Sequence, residues 1–203
     1  MERKIMNYIK HYENNEVKVD DAQIYKILDK YIKIAKENDI KIKFATSRIS
    51  NQDNLNSNAG LFKRSKVVFN SKWAAICFWG DSKFIQDMFL TTLLHEKSHK
   101  LNDTYIVSFN KETIRFVAWV NEIRADLYSF ANSKFSKQYY LELLEYKTKD
   151  KNKQDHDFYH PSWSYRIYIL EKYCVFNEDV IKDVANELNY NKEKIINKIF
   201  QKG

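Results

Sequence analysis

Turn formers are nearly absent from this chain: 203 residues contain three glycines and one proline. A β-sandwich needs many tight turns, so the shortage counts against that class and favours a mainly helical chain. Cysteine is scarce too. Cys77 and Cys174 are too few for a disulfide framework and stand in no CxxC pair. Both are expected to act as small buried hydrophobes. Long hydrophobic runs are also missing. The most apolar stretch, Trp73 to Leu94, is broken by Asp81, Lys83 and Asp87, so no membrane span is expected. The opening MERKIMNYIKHYENN is charged throughout and has no apolar h-region, which argues against a secretory signal. A cytoplasmic location is the resulting expectation.

What is present is core-forming. Hydrophobic residues make up 44% of the chain, with 14 Tyr and 13 Phe, and this excludes a disordered composition. The net charge is +7 and the pI about 9.1. Such a balance suits nucleic acid or an anionic surface. Here Asp and Glu are interspersed with Lys throughout, so a solvated lysine-rich surface is the expected meaning and nucleic acid is not favoured.

The pattern predicts strands early and helices late. Asp20 or Asp21 can cap a helix to about Asn38, with Ile24, Ile27, Leu28, Tyr31, Ile34 and Ala35 on one face. Ile40, Ile42 and Phe44 alternate as a half-buried strand. Residues 47–62 are Asn- and Ser-rich and predict a loop. KVVFNSKWAAICFW is β-branched and aromatic and predicts one or two strands. Helices follow over about 83–101 (capped by Asp81 or Ser82), 111–134 and 136–147. After a charged loop at 147–157, Pro161 or Ser162 starts another helix, and helical patterns at 178–188 and 191–200 close the chain. The fold class is α+β, mainly helical.

Chemistry concentrates in FLTTLLHEKSHKLND. Only five histidines occur, yet His95 and His99 are four apart. On a helix both imidazoles share one face and can converge on one ion. Glu96 points to the side, where it can hold a water as general base without ligating the metal. The preceding turns are apolar, so the helix is buried, and buried histidines need partners. A tetrahedral zinc needs a third protein ligand. Asn102 and Tyr105 occupy the positions where a metzincin has Gly and His, which excludes that class. Downstream, WVNEIRADLYSF places Glu122 and Asp126 on one helix face. The economical arrangement puts Glu122 on zinc and has Asp126 accept the outer N–H of a ligand histidine. A third segment, HPSWSYRIYIL, offers His160, Arg166 and Tyr165 as donors for an oxyanion, with His156 as a rival.

These three segments resemble the gluzincin zinc metallopeptidases. HEKSH followed by NEIRAD is similar to that clan's HExxH and NExxxD. With HPSWSYRI, the trio looks most like the CAAX prenyl protease and HtpX-type family in a soluble, minimal form. Asn58, Ala59 and Gly60 resemble an Asn-Ala pair that precedes the metal helix in that family. The resemblance covers about residues 20–172. It implies a zincin-like fold with a small N-terminal sheet packed on the active-site helix and a helical C-terminal part. It implies a metallopeptidase domain over 1–175, with 176–203 as a helical extension packed on it. It also implies one Zn2+ per chain on His95, His99 and Glu122, Glu96 as base, and endopeptidase activity on a peptide or protein. The substrate strand would run beside Asn58, Ala59 and Gly60. Many members of that family are membrane enzymes, so the absence of a span here argues against a membrane-embedded prenylated substrate.

Two other readings stand beside this one. A DNA-associated or regulatory zincin would suit the positive charge and the FKRSK patch, although such enzymes usually take a third histidine where this chain offers glutamate. A non-catalytic zinc-containing binding protein is the other, and residues 177–200 can be read as a helix-turn-helix. That turn lacks glycine and a basic recognition face, so packing on the core is the expected role.

Overall fold

Asp20 opens the first long helix, and its capping shows how closely local sequence governs this fold. The Asp20 side chain accepts from the Ala22 amide, while the Gln23 side chain accepts from the Asp20 amide, a reciprocal capping box. The structure is a computed structural model that describes residues 3–12, 18–45, 55, 57–58, 66–149 and 151–200. Most described residues are helical, beside one small sheet. Among them, no helix is long and apolar enough to cross a membrane. The chain divides into two compact units, residues 1–100 and 101–203.

The first unit contains α1 (Arg3–Lys10), α2 (Asp21–Glu37), β1 (Ile42–Phe44), β2 (Ser57–Asn58), β3 (Val67–Phe69), α3 (Ser71–Trp79) and most of α4 (Lys83–Asn102). The strand order is β1-β3-β2; β1 runs parallel to β3 and β2 antiparallel to it. Amphipathic α1 buries Ile5, Met6 and Ile9, and α2 buries Ile24, Leu28, Tyr31 and Ala35. The core centres on Phe89 of α4. Its ring lies 4.5 Å from Phe69, 5.2 Å from Tyr31 and 5.9 Å from Trp73, centroid to centroid. Edge and offset aromatic contacts of this kind fix orientation as well as burying area.

One expected strand is a helix. In KVVFNSKWAAICFW only Val67–Phe69 is a strand, and α3 follows at once. Asn70 causes the switch: its side chain accepts from the Trp73 amide and caps α3. Because α3 buries Trp73, Ala74, Ala75, Cys77 and Phe78 all round, its apolar run carries no 3.6-residue stripe to betray it. Ser82, not Asp81, caps α4, accepting from the Ile85 amide at 3.3 Å.

Asp81 instead gathers Lys30 at 2.5 Å and the Tyr31 hydroxyl and Gln86 amide at 3.2 Å each. Burial alone would raise its pKa, but these donors together bring it below the usual carboxylate value. A depressed folded pKa stabilises the fold above the unfolded carboxylate pKa, and that contribution is lost as pH falls through the lower, folded value. Asp81→Asn should therefore cost about 1–2 kcal/mol at neutral pH. It should also flatten the dependence of Tm on pH below about 4. An unchanged acid limb in Asp81→Asn would remove Asp81 as its source.

The second unit contains the last two residues of α4, then α5 (Lys111–Ser133), α6 (Lys137–Thr148), α7 (Trp163–Lys172), α8 (Glu178–Glu187) and α9 (Glu193–Phe200). Asn110, Ser136, Ser162 and Asn177 each accept from an amide at the start of the helix that follows. Helix α5 is the spine. Phe116, Val120, Ile123 and Leu127 pack with Ile169 and Leu170 of α7 and with Val180, Ile181 and Val184 of α8. The terminal helices thus share the core of α5 and α7. Phe116 stacks on Tyr190 at 4.2 Å, closing the α8–α9 corner. The two cysteines differ: Cys77 is buried as expected, whereas Cys174 is exposed, since it lies just past the end of α7.

Candidate metal centre

Helix α4 has two halves with different tasks. Its first turns bury Ile85, Met88, Phe89, Leu93 and Leu94, which anchor the helix. Its last turns carry the candidate metal ligands His95 and His99. His95 and His99 lie one turn apart with their Nε2 atoms 3.0 Å from each other and their rings nearly perpendicular. Two nitrogens bound to one tetrahedral zinc at about 2.0–2.1 Å would be roughly 3.3 Å apart, so the pair is close to the spacing one ion requires. Between them, Lys97 donates to the Asn38 carbonyl at 2.7 Å and ties the motif to the end of α2. Glu96 is buried, and the Ser57 hydroxyl donates to its Oε1 at 2.7 Å. Lys100, one turn on, is held low in pKa by burial, and the Glu96 charge opposes that shift.

The second unit builds a carboxylate centre. Arg166, buried on α7, grips Asp126 of α5 with both ends of one guanidinium edge: Nε to Oδ2 at 2.6 Å and Nη2 to Oδ1 at 2.7 Å. Its remaining nitrogen, Nη1, lies 3.3 Å from Oε2 of Glu122. Burial alone would lower the Arg166 pKa, but Asp126 and Glu122 outweigh it and push it upward, so this cation is permanent. The Arg166 guanidinium carbon lies over the Trp163 ring, 3.9 Å from its centroid. His160 approaches the same carboxylate, with Nε2 at 3.8 Å from Oε1 of Glu122. Asp157 holds that ring from the other side through Nδ1 at 2.8 Å and also accepts from the amides of Tyr159 and His160. Burial works to raise the Asp157 pKa, yet these donors bring it below the ordinary value. With a carboxylate on Nδ1, that nitrogen carries the proton and Nε2 is the one turned to Glu122.

One ligand atom from each of His95, His99 and Glu122 lies within 4.8 Å of the other two, and this group can hold a metal ion. Two imidazole nitrogens and a carboxylate oxygen are a donor set that suits zinc, and the Glu122 side chain is 12% exposed, a setting where a cation compensates the charge.

Compared with known protein families, with curated proteins and with solved structures, the chain matches none.

The expected site residues thus fall into place unevenly. His95, His99 and Glu122 come together, and His160 and Arg166 both reach Glu122. Asp126 has Arg166 on both its oxygens, a partner not expected for it. The Asn58 backbone pairs with Val68 in the edge strand β2, while Ala59 and Gly60 lie outside the described residues. Tyr165 packs toward Trp119 and Tyr168, and burial raises its pKa first of all. His156 is exposed, with its ring edge-on to Trp119. Sequence reasoning missed Ser57 and Asp157. An acid three residues before a histidine in a turn-forming loop is a signal that could have found Asp157. No sequence signal marks Ser57.

Proposed function

We propose that this chain is a zinc-dependent endopeptidase of gluzincin type, with a zincin-like arrangement around α4. The observation that carries the reading is the grouping of His95, His99 and Glu122 beside a buried glutamate on the same helix. A zinc ion bound there would polarise a peptide carbonyl and make a water acidic near neutral pH. Glu96 is the base. It takes a proton from the attacking water and returns it to the leaving amine, and the Ser57 hydroxyl fixes the carboxylate that does so. All three Arg166 nitrogens face carboxylates, so Arg166 is a positioning residue that orients Glu122. His160, half-exposed and held by Asp157 through Nδ1, is left to face developing negative charge on a substrate oxygen, a role its Nε2 fills only in the doubly protonated ring. The substrate lies extended along β2, the edge strand whose Ser57 touches Glu96.

Elemental analysis tests the metal assignment. The wild-type chain should carry about one zinc per molecule. His99→Ala and Glu122→Ala should each lose most of it, because removing one of three protein ligands weakens binding by at least 10–100-fold, the loss seen even for outer-shell partners. Stoichiometric metal in both variants would place the ion elsewhere. A folded, metal-replete chain that cleaves nothing in a diverse peptide library would leave a binding protein, not a peptidase.

A further inference from the structure

Helix α5 bears a second buried arginine, and its surroundings differ from those of Arg166. Arg124 is 5% exposed and uses Nη1 to cap the end of α4, donating to the Asn102 carbonyl and, at 3.1 Å, to Thr104 Oγ1. Its Nε and Nη2 are buried and have no hydrogen-bond partner among the described residues. Buried donors without acceptors are rare in native proteins, and a pair on one guanidinium is rarer. That pair is also a particular one. Nε and Nη2 form the flat edge of the guanidinium, and Arg166 uses the same edge to hold Asp126 by two parallel bonds. On Arg124 no carboxylate among the described residues hydrogen-bonds to this edge.

Arg124 lines a cleft of about 430 Å³, a volume in the range of small-molecule sites. Leu127, Ala131, Val175 and Phe176 line the same cleft, and Leu101 and Val175 are more than half exposed on it. The Phe176 ring covers the face of the guanidinium at 4.4 Å. Glu122 and Arg124 stand two residues apart on α5, about 200° around the helix, so this cleft faces away from the Glu122–Asp126–Arg166 cluster.

We propose that the Arg124 cleft is a binding site for a small monocarboxylate with an apolar tail, its two oxygens on Nε and Nη2 and its tail along Leu127, Ala131 and Val175. The half-buried Phe176 ring swings aside to admit the carboxylate. Asp103 also lines the cleft and is electrostatically coupled to Arg124, which favours a singly charged ligand over a doubly charged phosphate. The site does not rest on the peptidase reading.

Hexanoate is the probe, titrated into the full-length chain with the Arg124 Nε–H resonance observed by NMR. The expected result is a saturable shift of that resonance, with 1-hexanol and inorganic phosphate each binding at least about tenfold more weakly, since neither pairs with the edge as a single negative charge. Ala131→Trp, at an exposed position on the cleft wall, should weaken hexanoate at least about tenfold by filling the tail path, as should Arg124→Lys, which keeps the charge and loses the edge. No shift of the Nε–H signal overturns the site. Equal binding of hexanol reduces it to an apolar cleft, and equal binding of phosphate makes it a general anion site; either overturns the proposal. If Arg124→Lys fails to fold for want of its α4 cap, Ala131→Trp decides: undiminished hexanoate binding there ends the proposal.

Discussion

Glu96→Gln is expected to keep its metal and lose turnover by roughly 10²–10⁴-fold, the usual contribution of a positioned general base. The substitution is close to isosteric. Glutamine can still accept the Ser57 hydrogen bond that Glu96 accepts at 2.7 Å, so the local fold should survive. What it cannot do is take a proton from water. Metal content by elemental analysis and cleavage of a peptide library, measured on the same preparation, separate the two effects. Cleavage by Glu96→Gln at the wild-type rate would remove Glu96 as base. Loss of metal together with activity would assign Glu96 to holding the ion.

Arg166→Ala should destabilise the protein by about 3–5 kcal/mol, more than any other single change considered, because it takes the paired guanidinium away from buried Asp126. Asp126 is 3% exposed and the Glu122 side chain 12%, and Arg166 lies against both carboxylates. Lysine should not rescue the variant. A point charge cannot supply the paired Nε and Nη2 contacts to Asp126, nor the flat surface that lies on Trp163. Urea denaturation of wild type, Arg166→Ala and Arg166→Lys checks this. A loss under about 1 kcal/mol in Arg166→Ala would mean that water or a shifted side chain takes over the pairing.

The parts of this molecule that could be read from the sequence are those where one residue type answers one physical need. Asp20 and Ser162 announced their helices because a short acceptor ahead of an apolar stripe has little else to do. His95, His99 and Glu122 could be found because helical spacing fixes a face and buried polar groups demand a partner. The strand-like α3 could not, because a short helix buried on every side has no periodicity to display. Nor could the partner of Asp126 be foreseen. The sequence shows that a buried carboxylate needs a cation, and both a histidine N–H and an arginine 40 positions away satisfy that need equally on paper. Ser57 lay in an Asn- and Ser-rich stretch where nothing separates one hydroxyl from its neighbours until the strand pairing places it beside Glu96.

The boundary after Lys100 falls within α4, two residues short of its end and one past His99. Expression of either half alone would sever a continuous twenty-residue helix and leave the Asn102 carbonyl and Arg124 in a piece stripped of the turns that precede them. Split-protein fusions and circular permutants should open the chain between exposed Val107 and Phe109, where the backbone is outside any helix, the Asn110 cap of α5 stays intact and nothing in the HEKSH segment is cut.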